Sequence, residues 1–224
     1  MTKDNFEQRL IDYRRDFHKY PEVGWTEFRT SAKIADVLSE LGYKIRLGLD
    51  VIDPEECIGR PEEDIIEQEK ERAINQGANP EWIKKMNGYP GVVAILDTGR
   101  PGPTVGYRFD IDALSNQETK EPGHPPYDEG FASVNDGVMH ACGHDGHTAI
   151  GLGVAEQLMA QEDELCGVIK LIFQPAEEGG GGASAMVNQG ILEDVDLIYT
   201  MHIGLSHDGS PLASGTVAGG CNDF

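Results

Sequence analysis

The chain has 224 residues and is strongly acidic, with 39 aspartate and glutamate residues against 18 lysine and arginine residues and a formal net charge of −21 at pH 7. A surface of this sign repels phosphate backbones and anionic headgroups, so we expect neither nucleic acid nor a membrane as a partner. Apolar residues make up 39% of the chain, too many for a disordered protein. They never form the run of about 18 that a transmembrane helix needs.

The amino terminus and the cysteines indicate where the protein works. The first twenty residues, MTKDNFEQRLIDYRRDFHKY, contain no apolar stretch followed by small residues, so we expect no secretory signal and a cytoplasmic protein. The cysteines, Cys57, Cys142, Cys166 and Cys221, are widely spaced. In such a chain this spacing argues against a disulfide framework, and thiolate chemistry at one of them stays open.

Two amphipathic helices are predicted first. Asp4 and Glu7 have the spacing of a capping box, and Pro21 ends the helix that follows them. A second helix is predicted from near Thr26 to Gly42. The residues expected to face the core are Phe6, Leu10, Tyr13 and Phe17 in the first helix and Ile34, Val37, Leu38 and Leu41 in the second.

An acidic segment then interrupts the pattern. A short strand is predicted at residues 44–49, and residues 50–88 are rich in charge with only weak helical periodicity. We interpret this stretch as an inserted, solvated helical excursion with a turn around Gly77 to Pro80. Its charges are most simply explained as a soluble surface.

Strands and helices alternate in the remainder of the chain. Near-continuous apolar strands separated by helices are typical of a sheet that is covered on both faces. We therefore predict an α/β fold, a three-layer sandwich around a central mixed, mostly parallel sheet. The strands are expected at Val92–Leu96, Val105–Phe109, Val168–Phe173 and Leu197–Met201, with helices at Ala149–Met159 and in a segment ending at Gly190.

The densest group of reactive side chains is the segment His140–His147, HACGHDGH, with three imidazoles, a thiol and a carboxylate. We predict that it lies in a loop just before a helix, where functional groups are commonly displayed. The pair Cys142 and His144 can direct two donors to one point, since Gly143 between them permits a sharp turn. The alternative is a set of capping and core residues.

Two further segments follow predicted strands. Glu177 and Glu178, in QPAEEG, could divide their work, with one binding a cation and the other acting as general base. His202, in MHIG, would lie at the same carboxyl edge of the sheet, where sites in open α/β sheets collect. Alone, a pair of glutamates is typical of a surface and a single histidine is weak evidence.

Together these segments predict a metal site. The candidate ligands are Cys142, His144, Glu178 and His202, with Glu177 as base. A thiolate among imidazoles favours zinc or a similar divalent ion over magnesium or calcium, and spacing alone does not count the ions. Other polar residues are interpreted as supporting groups that orient the ligands: Asp110, Asp112, His140, Asp145 and His147.

Five segments, in the same order along the chain, resemble the motifs of the aminoacylase-type metallopeptidases, in the branch of the N-acyl amino acid amidohydrolases. The resemblance covers nearly the whole chain and implies a zinc-peptidase-like fold. The segments are Arg14–His18 with Pro21–Glu22, Asp110–Leu114, His140–His147, Gln174–Gly179 and Met201–Gly204.

The resemblance implies hydrolysis of an amide bond with the help of two divalent ions, zinc or manganese. The positions of Cys142, His144, Glu178 and His202 match metal ligands, and Glu177 matches the general base that takes a proton from water and passes it to the leaving amine. A closer match to the members that split p-aminobenzoyl-glutamate into p-aminobenzoate and glutamate rests on the acidic insertion and on Gly24–Thr30 and Leu96–Pro103. Hippurate-like and auxin-conjugate-like substrates also stay open.

The resemblance also sets an expectation for domain organisation. Members of this family are longer, with a lid and dimerisation domain and a carboxyl-terminal catalytic segment. We therefore expect residues 1–224 to be the amino-terminal segment of the catalytic domain, lacking a last histidine ligand and the groups that hold the glutamate. Activity would then require the missing half or a second hydrolase subunit, in an oligomer. The alternative is a non-catalytic remnant that binds metal or a partner chain.

Overall fold

The structure is a computed structural model that describes residues 3–203. Gly204 and Cys221 of the sequence analysis lie outside the described residues. Within this range the helices are α1 (Lys3–Lys19), α2 (Phe28–Glu40), α3 (Glu63–Asn75), α4 (Pro80–Met86), α5 (Pro125–Asp128), α6 (His144–Ala160) and α7 (Gly182–Asn188). The strands are β1 (Lys44–Leu47), β2 (Val92–Asp97), β3 (Thr104–Asp110), β4 (Val168–Gln174) and β5 (Leu197–Thr200).

The five strands form one mixed sheet in the order β1-β2-β4-β3-β5. β2 is antiparallel to both β1 and β4, whereas β3 is parallel to both β4 and β5. Four strands therefore run in one direction and β2 runs against them. The prediction of a mixed, mostly parallel α/β sheet is confirmed, and each predicted strand forms within a few residues of its expected limits.

Alternation along the strands creates a core on each face of the sheet. In β2, Val92 and Ala94 join the larger core, formed with α1, α2 and α6, while Val93 faces the smaller core. The smaller core includes Trp25 and Met186 of α7. Because neighbouring strand residues point to opposite faces, an unbroken apolar run is what a sheet covered on both sides requires.

The acidic segment is helical, as predicted, but it is not merely a solvated excursion. Ile66 and Ala73 of α3, and Ile83 and Met86 of α4, are buried in the larger core. Their spacings of seven and three residues place each pair on one side of its helix. The expected turn around Gly77 is present, and the charged residues cover the outer side. Because each helix has only a few apolar residues among many charged ones, the composition of the segment did not indicate that one side is buried.

The start of α2 is capped by a side chain from outside the helix. The helix begins at Phe28, close to the expected start near Thr26, and amides of its first turn bond to the side chain of Glu22. Glu22, which is 1% exposed, accepts hydrogen bonds from Arg29 N at 3.0 Å and Thr30 N at 2.7 Å. A buried carboxylate thus replaces the local cap that helices usually carry.

None of the helices in residues 3–203 has the length and apolar character needed to cross a membrane.

Candidate metal centre

The reactive side chains meet at one edge of the sheet, where β3, β4 and β5 end. Asp110 is the last residue of β3, the glutamate pair follows β4 by three residues, and His202 follows β5 by two. Because these three strands are parallel, their carboxyl ends lie side by side and open into one crevice.

One prediction about this edge is wrong. His144, Asp145 and His147 do not lie in a loop before the helix but form the first turn of α6. Gly143 adopts a left-handed backbone conformation, with φ of 87°, and turns the chain directly into the helix. Asp145 suits this turn because a carboxylate is favoured at the positive end of a helix. His144 and His147, three residues apart, consequently lie on one side of α6.

The structure brings the four candidate ligands and the candidate base together around His144. Potential ligand atoms of Cys142, His144 and His202 lie within 4.8 Å of one another, as do those of His144, Glu177 and Glu178. Cys142 Sγ is 3.3 Å from His202 Nε2. A thiol, two imidazoles and a carboxylate are the donor set that zinc and related divalent ions prefer, so these residues fit a metal.

His144 is oriented by Asp112. Its Nδ1 donates to the Asp112 backbone oxygen at 2.9 Å and lies 3.1 Å from the Asp112 carboxylate, so the neutral ring carries no hydrogen on Nε2. Nε2 is buried, has no hydrogen-bond partner among the described residues, and lies 3.9 Å from Glu177 Oε2. An imidazole held in this way presents its lone pair to a ligand site.

His147 and Asp110 form a second pair beside His144. His147 Nε2 accepts a hydrogen bond from Ile203 N at 3.1 Å, so the ring hydrogen is on Nδ1, which faces Asp110 Oδ2 at 3.6 Å. Both Asp110 oxygens are buried without a hydrogen bond among the described residues, although the Arg108 guanidinium contacts one of them. Through Nε2, His147 fixes the backbone next to His202, while its Nδ1 is buried without a hydrogen bond among the described residues.

Asp145 connects the centre to α1. Its carboxylate is 2.9 Å from His18 Nδ1 and 3.3 Å from Arg14 Nε, and His18 Nε2 is 2.9 Å from Glu118. Burial alone would raise the pKa of Asp145, but His18 and the nearby cations lower it to about 2. Burial likewise opposes the charge on His18, yet its two carboxylate partners hold its pKa above the ordinary value. His18 can donate to both only as an imidazolium ion.

His140 differs from the other histidines of the segment. It is buried, and neither ring nitrogen has a hydrogen-bond partner among the described residues. Burial lowers its pKa to about 4, so the ring is neutral near pH 7. It lies among charged neighbours but joins none of the ligand groups found in residues 3–203, the third of which combines Asp110, His144 and His147.

The candidate base and the thiol both hold their protons more strongly than usual. Partial burial raises the pKa of Glu177, and the nearby carboxylates of Asp110 and Glu178 raise it further, with His144 opposing them. Burial raises the pKa of Cys142 to about 12, aided by a hydrogen bond with Glu178. The Cys142 thiolate therefore needs a cation beside it to form near neutral pH.

Comparison with known proteins agrees with this geometry. A sequence profile of peptidase family M20/M25/M40 matches residues 106–214, a range that contains every candidate ligand and the candidate base. Within this range the chain is similar to that peptidase family. The resemblance inferred from the motifs is confirmed.

Two relatives extend the similarity beyond the range of the profile. The chain is 52% identical over 217 residues to one of the subunits of the p-aminobenzoyl-glutamate hydrolase from Escherichia coli, covering 96% of this chain and 49% of the relative. It is 50% identical to indole-3-acetyl-aspartic acid hydrolase of Enterobacter agglomerans, covering 96% of this chain and 48% of the relative. The chain thus spans about half the length of these relatives.

A solved structure gives the same fold. The Bacillus subtilis YXEP protein, described as a dinuclear metal-binding peptidase of the M20 family, superposes with a TM-score of 0.65 at 35% identity, covering 90% of this chain and 44% of that protein.

Sequence reasoning assigned no contacts to four buried polar residues near the centre. His18, Glu22, Glu27 and Glu118 are each at most 8% exposed, and each pairs with residues distant in sequence. His18, Glu22 and Glu27 lie in segments that the resemblance singled out, Arg14–His18 with Pro21–Glu22 and Gly24–Thr30, whereas no sequence signal marks Glu118.

Proposed function

We propose that this chain carries the metal-binding and general-base groups of an amidohydrolase that cleaves the amide bond of N-acyl amino acids. The observation that carries the proposal is the convergence of Cys142, His144, Glu178 and His202 on one crevice, with Glu177 beside His144. The preferred substrate is p-aminobenzoyl-glutamate, hydrolysed to p-aminobenzoate and glutamate.

The proposed cofactor is a pair of divalent ions, zinc or manganese. Cys142, His144, Glu178 and His202 would hold them. When bound, such ions polarise the amide carbonyl and acidify the attacking water. The description of the Bacillus subtilis relative as dinuclear supports the same stoichiometry.

Glu177 is proposed as the proton carrier of the reaction. Its carboxylate accepts a proton from the attacking water and later delivers it to the nitrogen of the leaving amino acid. The raised pKa of Glu177 suits both steps, because a stronger base takes the proton more readily and the resulting acid still releases it to an amine. Asp112 holds His144 so that its Nε2 faces the same crevice.

The substrate class follows from two relatives of nearly equal identity. Their names describe an aromatic acyl group joined to glutamate in one and to aspartate in the other. We therefore propose an N-acylated acidic amino acid, with indole-3-acetyl-aspartate as the alternative substrate. Because the chain carries a net charge of −21, the substrate carboxylates must meet local cations rather than a general attractive field.

We further propose that turnover requires completion by another segment or by a second polypeptide. The Escherichia coli relative is named as one subunit of its hydrolase, and this chain covers 49% of it. The alternative function is metal or partner binding without catalysis.

The test combines metal analysis with an activity assay on the 224-residue chain. Zinc and manganese are added to the metal-free chain, and p-aminobenzoyl-glutamate hydrolysis is measured beside Glu177→Ala and Cys142→Ser. Metal-dependent turnover that disappears in Glu177→Ala is the result expected if the chain assembles its own site. Bound metal without turnover would favour the need for a completing segment. No metal binding would overturn the proposal.

A further inference from the structure

The backbone around Glu177 is strained and held from both sides. Ala176 has a φ of 49°, a left-handed conformation that residues with a side chain rarely adopt. The amide before Glu177, Ala176 N, donates to Glu27 Oε1 at 2.7 Å, and the amide after it, Glu178 N, donates to Asp112 Oδ2 at 2.9 Å. Both acceptor side chains are buried, at 0% and 1% exposure.

We infer that Glu27 is a positioning residue for Glu177, acting with Asp112 as a pair of buried carboxyl groups that fix the turn carrying the base. The inference rests on the proposed role of Glu177 in hydrolysis. Asp112 also orients His144, so the pair links the base and a metal ligand to one rigid support. Misplacement of a reacting group by about 1 Å can lower a rate about 100-fold.

Glu27 does not cap α2, because Glu22 accepts the amides of the first turn. Glu27 stands at the N-cap of α2, yet its side chain caps no helix amide. Glu22 accepts those amides instead. The Glu27 side chain is therefore available for Ala176, which lies 149 residues away in sequence, and its second oxygen, Oε2, is buried without a hydrogen bond among the described residues.

The neighbours of Glu27 are shaped for the same contact. Trp25 also has a left-handed backbone, with φ of 67°, and its Nε1 donates to Gly180 O at 2.8 Å. A Cβ added to Gly24 would lie 3.1 Å from both Cα and Cβ of Ala176. Strain in bulky residues persists where the surroundings enforce it, and here both strained segments face each other. The segment Gly24–Thr30 thus packs against the turn that carries Glu177.

The charge state of Glu27 agrees with this role. Burial raises its pKa well above the ordinary value, and the carboxylate of Asp112 raises it further. A neutral acid still accepts the Ala176 amide through its carbonyl oxygen, and it places no second negative charge behind Glu177. Glutamine has the same shape and the same acceptor, whereas methionine has a similar length and no carbonyl oxygen.

The experiment compares Glu27→Gln and Glu27→Met in the 224-residue chain by hydrogen exchange of the peptide spanning residues 175–179. We expect Glu27→Gln to retain the protection of the parent and Glu27→Met to exchange at least about tenfold faster at Ala176. Leu38→Ala, which removes core packing from the same helix, controls for general loosening. Equal exchange in Glu27→Met and Leu38→Ala, or failure of Glu27→Gln to restore protection, would overturn the inference.

Turnover of p-aminobenzoyl-glutamate by the metal-loaded hydrolase, completed by the further segment or polypeptide that the proposed function requires, separates this inference from the proposed function. Glu27→Met should lower kcat up to about 100-fold with little change in KM, and Glu27→Gln should restore it. If Glu177→Gln stays fully active, the proposed function fails even when the exchange result holds. If Glu177→Gln is inactive but Glu27→Met exchanges like Leu38→Ala, only the role of Glu27 is wrong.

Discussion

Several side chains at the sheet edge have buried polar atoms that lower the stability of the fold when no ligand is bound. Both oxygens of Asp110, Nε2 of His144 and Nδ1 of His147 are buried without a hydrogen bond among residues 3–203. Unpaired buried polar atoms cost folding free energy and cluster where a ligand satisfies them. The thiol of Cys142 adds to this cost, since its raised pKa keeps it protonated until a cation displaces the proton.

Replacement of Cys142 should therefore weaken metal binding selectively. We expect Cys142→Ser to lower the affinity for zinc by at least about tenfold, because a hydroxyl is a poor substitute for a thiolate as a zinc ligand. Competition with a chromophoric chelator measures the affinity. Cys166→Ser is the matched control, since Cys166 is exposed and lies outside the ligand groups found in the described residues. Equal affinities of both variants would exclude Cys142 as a ligand.

Among the helices and strands, α6 positions the site most directly, because its first turn carries His144 and His147. The strands and the amphipathic helices could be predicted from sequence because each depends on a local pattern of apolar residues, such as Val168–Phe173 in β4. The first turn of α6 could not, since its start depends on the left-handed Gly143 rather than on apolar periodicity. The cap of α2 by Glu22 was equally hidden, because its contacts form only after the chain has folded.

Two glycines of α6 allow close packing, and they should differ in their tolerance of a methyl group. A Cβ at Gly151 would lie 2.6 Å from a ring atom of Phe173 and 2.9 Å from one of Phe109, whereas a Cβ at Gly153 meets the flexible end of Leu10. We expect Gly151→Ala to lower the free energy of unfolding by about 1–3 kcal/mol through overpacking. Gly153→Ala should be near neutral, because the gain in helix propensity offsets a small shift of Leu10.

Urea denaturation of both variants measures these changes. A Gly151→Ala protein as stable as the parent would mean that the two aromatic rings move aside at no cost.

The contact between α1 and α6 should depend on pH through His18. Its pKa is raised in the folded chain, so its contribution to stability is complete below the unfolded histidine pKa of about 6.5 and is lost as pH rises through the folded value. Asp145 and Glu118 stay ionised in this window, since their pKa values are lowered. We expect His18→Gln to lower the free energy of unfolding by about 2 kcal/mol near pH 6 and by less near pH 9.

Urea unfolding of the parent and of His18→Gln at both pH values tests this expectation. An equal loss at the two pH values would show that His18 acts through packing rather than through its charge.

The whole molecule carries far more negative than positive charge. The net charge of −21 predicts mutual repulsion across the folded surface. We expect the Tm to rise as KCl increases from about 20 to about 200 mM, because salt screens charges separated by more than about 10 Å. Thermal unfolding followed by circular dichroism measures the change. A falling Tm would show that local pairs, such as Lys170 with Asp194, outweigh the repulsion.

Most of the candidate site could be predicted from sequence, and some of its supports could not. Cys142, His144, Glu178 and His202 stand out because reactive residue types follow predicted strands or share one short segment. Glu27, His18 and Glu118 act through partners far away in the chain, and nothing local distinguishes their carboxylates and rings from ordinary surface groups. Pairings of this kind require the tertiary structure.

The strand order has a consequence for folding of the chain during its synthesis on the ribosome. β2 and β3 are neighbours in sequence, but β4 lies between them in the sheet. While the chain is being synthesised, β2 and β3 must wait for residues 168–174 before either finds its partner in this part of the sheet. The centre of the sheet therefore cannot assemble in stages as strands emerge. We expect β2, β4 and β3 to pair in a single late step, after β4 has left the ribosomal exit tunnel.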